Sequence, residues 1–380
     1  MKITLKNTPE QVELIQAMAS RDPLVRMEAQ TAFAEFMGKV LGETMEQANT
    51  IGNFYTNLPF AKDSVPSIPL DLFSEITDLD WISIWSQHAS GGLGTNELKP
   101  PTQEMYLDTY KIDSAISVDK RHAKGSRLDV ISKCMTRLAQ ECLFKQDNFA
   151  IGPLMSALAN ASTNGKAHVV RNVVSDRFLP QDLAALRTRM KRINTSFIKG
   201  TPAGNQGSIT DILLSPEAAE GLRSMAYNAI NTVAAPITSA ILDSVPAPES
   251  IRAKLFESAG MSNFMGINFH EFNELGDGQR FNLVFDAAAG STTYYKDDGS
   301  SGGAAFDGAA DTIMIGLDRS GSDALLRLTA TDSDTGSQFD LMADNQFEVY
   351  NRTANKIGWY GSMEEGRVIL NNRKIVGLIY

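Results

Sequence analysis

Between residues 57 and 125 the chain offers no helical period, although strong helical patterns stand on both sides of it. A connection of that length without a helix is foreign to the interior of a compact domain and marks a functional extension. Pro59, Pro66, Pro69, Gly91, Gly92, Gly94, Pro100 and Pro101 punctuate it. Trp81-Ile82-Ser83-Ile84-Trp85 alternates, and so does Tyr110-Lys111-Ile112-Asp113 onward to Val118, the period-2 signature of strands. The stretch reads as the two long strands of a protruding hairpin. Trp81 and Trp85 then have two readings: core packing, or anchoring of a subunit contact, for which aromatic residues are favoured.

Upstream, residues 9 to 50 read as helical, with Asp22 and Pro23 fitting an N-cap and a first-turn proline. One helix is expected to end near Ser20 and another to begin there. Val25, Ala29, Phe33, Phe36, Met37, Val40 and Leu41 recur at three- and four-residue spacing, which places them on one stripe. That stripe needs a partner surface, on its own chain or on a neighbour's, and Phe33, Phe36 and Val40 are its candidate contact residues.

Downstream of Ser126, Ile131, Met135, Leu138 and Cys142 share a helix face, and Gly152-Pro153 is expected to break or kink that helix. A further helix after Pro180 turns Leu183, Leu186, Met190 and Ile193 inward, leaving Arg187, Arg189, Lys191 and Arg192 as a basic outer face. Ile209-Thr210-Asp211-Ile212-Leu213-Leu214 reads as a buried strand, and Ser215-Pro216-Glu217 supplies the cap, proline and acidic first turn of a following helix. Another helix runs from about Pro248 to Gly260, beyond which strands dominate. Residues 286 to 345, rich in Gly, Ser, Asp and Ala, read as a loop-rich insertion. Phe347 to Tyr350, Ile357 to Tyr360, Arg367 to Leu370 and Lys374 to Tyr380 read as closing strands joined by turns such as Asn371-Asn372.

At 380 residues the chain exceeds what one core organises, so two or three lobes are expected. Its 43% hydrophobic and 21% charged residues match soluble globular proteins. Met1 to Asn7 contains no secretory apolar core and no segment supplies a membrane span, which implies a product made inside the cell and no membrane partner. Cys134 and Cys142, eight apart on one helix, read as reduced thiols. A net charge of -10 argues against general affinity for nucleic acid. The charge is nevertheless divided. Residues 111 to 200 hold sixteen Lys and Arg against seven Asp and Glu, whereas residues 271 to 345 hold four against fourteen. Two unrelated solvated faces would give that pattern, and so would complementarity between neighbouring copies.

Motifs of chemistry fail on inspection. His88, His122, His168 and His270 form no paired ligand spacing. Gly299-Ser300-Ser301-Gly302-Gly303 has the letters of a nucleophile elbow, but no histidine follows Ser301. Asp332-Ser333-Asp334-Thr335-Gly336 places glycine where a calcium loop needs its third oxygen ligand. Gly165-Lys166 has Asn160 in place of the phosphate loop's first glycine and Ala167 in place of its hydroxyl. No catalytic residue, cofactor site or metal site is expected, and the chain reads as a structural subunit rather than an enzyme.

Taken in order, these elements resemble the major capsid proteins of tailed bacteriophages, which share the Hong Kong 97-type fold. Two segments carry the local resemblance. Thr210 through Ser215-Pro216-Glu217-Ala218 looks like the strand-to-helix entry to that family's axial domain. Gly358-Trp359-Tyr360, Arg367-Val368-Ile369-Leu370-Asn371-Asn372 and Ile375-Val376-Gly377 are similar to its closing strands. The resemblance implies an α+β fold with an N-terminal helical arm at 1 to 58 and an extended β-hairpin loop at 59 to 117. A peripheral domain with its spine helix would take 118 to 208 and 346 to 380, and an axial domain 209 to 345, with the insertion near 286 to 345. It further implies self-assembly into the hexamers and pentamers of an icosahedral head that encloses double-stranded DNA without reading its sequence. Portal, scaffold and decoration proteins would be partners, assembly would take place in the host cytoplasm, and the product would reside in the virion. Two alternatives stand beside it: an encapsulin-type compartment shell, and a metal- or carbohydrate-binding β-rich enzyme suggested by the acidic loops from 297 to 344.

Overall fold

Pro9 and Pro23 each open a helix, where a residue without an N–H loses nothing. These are α1 (Pro9–Met18) and α2 (Pro23–Ala48). Asp22 closes the start of α2 by accepting the Leu24 N–H at 3.1 Å, as its N-cap position predicts. In this computed structural model the described residues are 8–48, 51–69, 104–125, 127–163, 166–172, 180–194, 208–224, 263–264, 266–296, 303–320, 324–332, 337–343 and 356–380. They fall into two compact units. The first takes those of Met1–Pro69, Gln103–Ala150 and Leu325–Val368, the second those of Ile151–Ala324 and Ile369–Tyr380.

After α2 the first unit continues through β1 (Thr56–Ala61), β2 (Ser67–Pro69), β3 (Glu104–Tyr106), β4 (Tyr110–Asp119), α3 (Lys120–Lys124) and α4 (Leu128–Ala159). Its five-stranded sheet joins β1 and β4 to three strands from much later in the chain: β14 (Leu325–Thr331), β15 (Phe339–Ala343) and β16 (Lys356–Ile369). β16 is the organiser, antiparallel to both β4 and β15. Its odd positions, Ile357, Trp359 and Met363 among them, turn inward and its even positions outward, as a pleated strand requires. The inward side chains meet Phe33, Met37 and Leu41 of α2 and Ile131, Met135, Leu138 and Cys142 of α4 in one core. Each such side chain contributes about 1.5–3 kcal/mol on burial. Gly38 lets α2 come close to β15, since a Cβ there would lie 3.3 Å from that of Leu341.

The Tyr110–Val118 strand is present and, among the described residues, pairs with β16, while the expected hairpin strand at 81 to 85 lies outside them. Its inward Ile112 and Val118 find their core there. Of the hairpin, the described residues hold the root, where β2 and β3 pair antiparallel. Of the break or kink expected at Gly152-Pro153, the break is absent, since α4 runs on to Ala159. Leu154, Met155 and Leu158 beyond Pro153 are fully buried, and that burial outweighs the roughly 3 kcal/mol an interior proline costs. Finally, Ile357–Tyr360 and Arg367–Ile369 belong to one 14-residue strand.

The second unit contains β5 (Ser162–Thr163), β6 (Lys166–Ala167), β7 (Val169–Arg171), α5 (Pro180–Asn194), β8 (Asp211–Leu214) and α6 (Pro216–Ser224). There follow β9 (Asn263–Phe264), β10 (Ile267–Glu271), α7 (Arg280–Ala289), β11 (Thr293–Tyr294), β12 (Ala304–Ala305), β13 (Ile313–Leu317) and β17 (Ile375–Ile379). Its six-stranded sheet has the order β7-β17-β13-β8-β10-β9. Leu183, Leu186, Met190 and Ile193 of α5 join its core as the spacing predicts. The Ser215 hydroxyl accepts the Ala218 N–H at 3.2 Å, so the expected strand-to-helix junction is capped as read.

Residues 286 to 345 are not a loop-rich insertion. Their described residues contain the buried strands β13 and β14 and the whole of β15, which are members of the two sheets. The stretch before them includes α7, where strands were expected. The units also divide the chain differently from the four-part scheme, because β16 lies in one sheet and β17 in the other. The strand at 81 to 85, the helix near 248 to 260 and the strand at 347 to 350 lie outside the described residues.

Candidate functional site

Three sets of side chains bear on function: the exposed seam of α2, the outer face of α5, and the polar groups of the five-stranded sheet. Trp81 and Trp85 lie outside the described residues. On α2 the single stripe read from sequence divides in two. Phe33 is 2% exposed and belongs to its own chain's core, which corrects its assignment to a subunit contact. The helical period explains the division, since Phe33 lines up with Met37 and Leu41 one and two turns on. Phe36, 53% exposed, instead continues a seam with Val25, Ala32 and the half-buried Val40.

On α5 the inward residues fix which face is free. Ala184, Thr188, Lys191 and Arg192 are exposed, and Arg187 and Arg189 are half-buried. Arg187 and Lys191, four apart, line up one above the other, and the exposed Arg192 widens this short basic stripe, in which Arg187 is half-buried.

The five-stranded sheet carries polar groups on both faces. On the inner face sits a cluster that the sequence reading missed. Glu365 is fully buried, and its Oε2 accepts from Arg327 Nε at 3.2 Å, Arg367 Nη2 at 3.3 Å and Gln146 Nε2 at 3.3 Å. Its Oε1 accepts the Tyr110 hydroxyl at 2.6 Å. Arg367 also lies over the Tyr55 ring, 5.0 Å from its centre, while the Tyr55 hydroxyl donates to the Ala150 carbonyl at 2.6 Å. Burial pushes both phenols well above their ordinary range, and at Tyr110 the Glu365 carboxylate adds to the push. Both tyrosines therefore act as hydrogen-bond donors. The cluster cross-links the root of the 59 to 117 segment to α4, β14 and β16. One signal was legible: Glu365 and Arg367 occupy the same odd register of β16 as Ile357, Trp359 and Met363.

On the outer face, Lys62, Lys111, Asp113, Asp340, Tyr360 and Glu364 line a groove of about 240 Å³. Lys62 and Asp340 pair at 3.2 Å, and Lys111 and Glu364 stand 4.0 Å apart. The Asp113 carboxylate accepts the Tyr360 hydroxyl and raises that phenol's pKa.

Other reactive groups have local structural partners. Burial pulls the fully buried His168 below its ordinary pKa, and its Nδ1 lies 3.1 Å from the Ile375 carbonyl oxygen. His270 Nε2 meets Asp211 Oδ1 at 2.9 Å across β10 and β8. Burial raises both thiols, that of Cys142 to about 11, the opposite of an activated nucleophile. Among the described residues no group of three or more His, Cys, Asp or Glu is placed to hold a metal ion, and no helix is long and apolar enough to cross a membrane.

No protein-family model and no curated protein matches the chain. Solved structures do match it over most of its length. The capsid of a native GTA particle is 9% identical, covers 87% of this chain and 90% of its own, and has a TM-score of 0.49. The capsid of the cyanophage P-SCSP1u is 13% identical, covers 86% of each chain and has a TM-score of 0.44. The holo-SrpI encapsulin complex from Synechococcus elongatus PCC 7942 is 11% identical, covers 86% of this chain and 85% of its own, and has a TM-score of 0.43.

Proposed function

We propose that this chain is a major capsid protein of the Hong Kong 97 type, a non-enzymatic subunit that builds the icosahedral head of a tailed phage. The observation that carries the reading is the exposed apolar seam of α2, with Val25 and Phe36 standing free on a helix whose other side is locked into the core. An exposed aromatic beside aliphatic neighbours on a well-anchored arm fits burial against another copy. The element order supports it: a helical arm, a segment that leaves and returns at the paired β2 and β3, then the 32-residue α4 as a spine. In this reading the unit with the five-stranded sheet is the peripheral domain, carrying the arm and the root of the extended loop. The unit with the six-stranded sheet is the axial domain.

Hexamers and pentamers of the chain would then close around double-stranded DNA in the virion after assembly in the host cytoplasm, with portal, scaffold and decoration proteins as partners. Closed symmetric assembly reuses the same patches on every copy. Phe36 and Val40, the α5 stripe, and Trp81 and Trp85 on the extended loop are assigned to these contacts. Electron microscopy and sedimentation of the expressed full chain, alone and with a scaffold protein, test the proposal. Icosahedral particles are expected, and a strictly monomeric product under all conditions would overturn it. Particles that carry an enzyme cargo instead of DNA would reassign the shell to an encapsulin-type compartment.

A further inference from the structure

We propose that the basic stripe of α5 on one copy seats in the outer groove of the five-stranded sheet on a neighbouring copy; this rests on the shell-subunit reading above and names the partner of one of its surfaces. The stripe is one-signed. Its outward positions, Ala184, Arg187, Thr188, Lys191 and Arg192, include no acid, and Asp182 in the first turn is buried. Lys191 and Arg192 suit the negative end of the helix dipole. Arg187, one turn earlier, extends the charge back toward the middle of the helix.

The groove has the opposite sign. Its lining holds four carboxylates, of Asp113, Asp332, Asp340 and Glu364, against the two cations of Lys62 and Lys111. Register fixes how two of the carboxylates are spaced. Asp113 on β4 and Asp340 on β15 both stand opposite Ser362 of β16, from its two sides. They are thus two strand spacings apart, roughly 10 Å. Arg187 and Lys191 stand one helical turn apart, about 6 Å along the axis, and their long side chains splay over the remainder. The ion pairs already in the groove are partly solvent-exposed, and that of Lys111 with Glu364 is long; such surface pairs contribute little. An arginine fork matches carboxylate geometry, and the exposed Tyr360 adds a ring face for a cation. The same opposition appears along the chain, since the stripe lies in the net-basic stretch 111 to 200 and both Asp332 and Asp340 in the net-acidic stretch 271 to 345. A second copy is the occupant that supplies both halves in equal number.

A charge-swap experiment on the full-length chain tests the pairing, with particle yield measured by sedimentation and electron microscopy and folding checked by circular dichroism. Lys191→Glu with Arg192→Glu, and separately Asp113→Lys with Asp340→Lys, should each lower yield about tenfold or more, because like charges then meet across the contact. All four substitutions in one chain should return yield to within about threefold of wild type. Particles whose yield ignores the reversals overturn the pairing alone, whereas a wild-type chain that never assembles overturns the shell reading and the pairing with it. Loss on helix reversal that groove reversal does not repair, accompanied by loss of bound nucleic acid, assigns the stripe to a polyanion and also overturns it. If a reversed chain does not fold, Lys191→Gln and Asp113→Asn are compared singly and together: non-additive losses support the contact and additive losses refute it.

Discussion

The ring of Phe33 lies 5.2 Å from that of Trp359, tilted by 44°, and fastens the middle of α2 to the longest strand of the five-stranded sheet. The next outward position, Phe36, faces solvent. Two phenylalanines three residues apart therefore have different work.

Phe33→Ala is expected to cost about 3–5 kcal/mol of folding stability, since it opens a cavity beneath Trp359. Phe36→Ala should stay within about 0.5 kcal/mol of wild type in the isolated subunit, yet reduce particle formation. Urea denaturation of the unassembled chain and particle yield, measured side by side, separate the two. A Phe36→Ala chain that assembles normally would remove the assigned contact.

Gly366→Ala should be destabilising out of proportion to one methyl group. A Cβ at Gly366 would stand 2.7 Å from the Asp108 carbonyl oxygen and 3.0 Å from Leu328 Cδ1, and a backbone oxygen cannot swing aside as a side chain does. A loss of about 1–3 kcal/mol is expected, the usual cost of overfilling a packed site. A variant melting with wild type would show that β16 has slack at that point.

The legible parts of this fold were those decided locally. Leu183, Leu186, Met190 and Ile193 announced the buried face of α5, and Ser215-Pro216 announced the capped start of α6, because both depend on neighbours within two turns. The partner of β4 was not legible, since its pairing with β16 joins residues 237 to 255 positions apart. The acidic, glycine-rich composition around β13 and β14 concealed two buried strands that only distant partners cover. For the candidate surfaces, helical spacing put Lys191 and Arg192 outward but did not separate them from the half-buried Arg187 and Arg189. It could not divide Phe33 from Phe36, because both sit near the edge of one arc and only the docking of α2 on the sheet decides which turns inward.

His168 makes stability depend on pH in a direction that can be worked out. Burial is the main cause of its lowered pKa, opposed by the Ile375 and Asn372 carbonyls, with Arg373 and Arg189 adding positive charge. The unfolded chain binds a proton near the ordinary value of about 6.5, while the folded chain does so only at lower pH. The contribution of His168 is thus complete above that value and declines as the pH falls from it toward the folded-state pKa. Urea midpoints between pH 8 and pH 5 should fall less steeply for His168→Gln than for wild type, whatever the variant's absolute stability. Parallel profiles would show that His168 titrates alike in both states.

Around Glu365 the charges are unequal, two guanidiniums to one carboxylate, and the inequality orders the effects of substitution. Glu365→Gln takes away the carboxylate that the buried Arg327 and Arg367 share, and breaking a buried ion pair by removing one partner costs about 3–5 kcal/mol. Arg367→Met removes the cation whose Nε and Nη1 have no hydrogen-bond partner. It keeps an apolar stem against the Tyr55 ring and leaves Arg327 and Glu365 as a one-to-one pair. Its cost should therefore be less than half that of Glu365→Gln. Tyr110→Phe deletes one of four donors to the carboxylate and should cost about 1.5–3 kcal/mol, the range for a hydrogen bond to a charged group. Urea denaturation of the three single variants checks the order. If Arg367→Met proved the most damaging, the second guanidinium would be holding Tyr55 and the α4 backbone in place, and its charge would be incidental to what it does there.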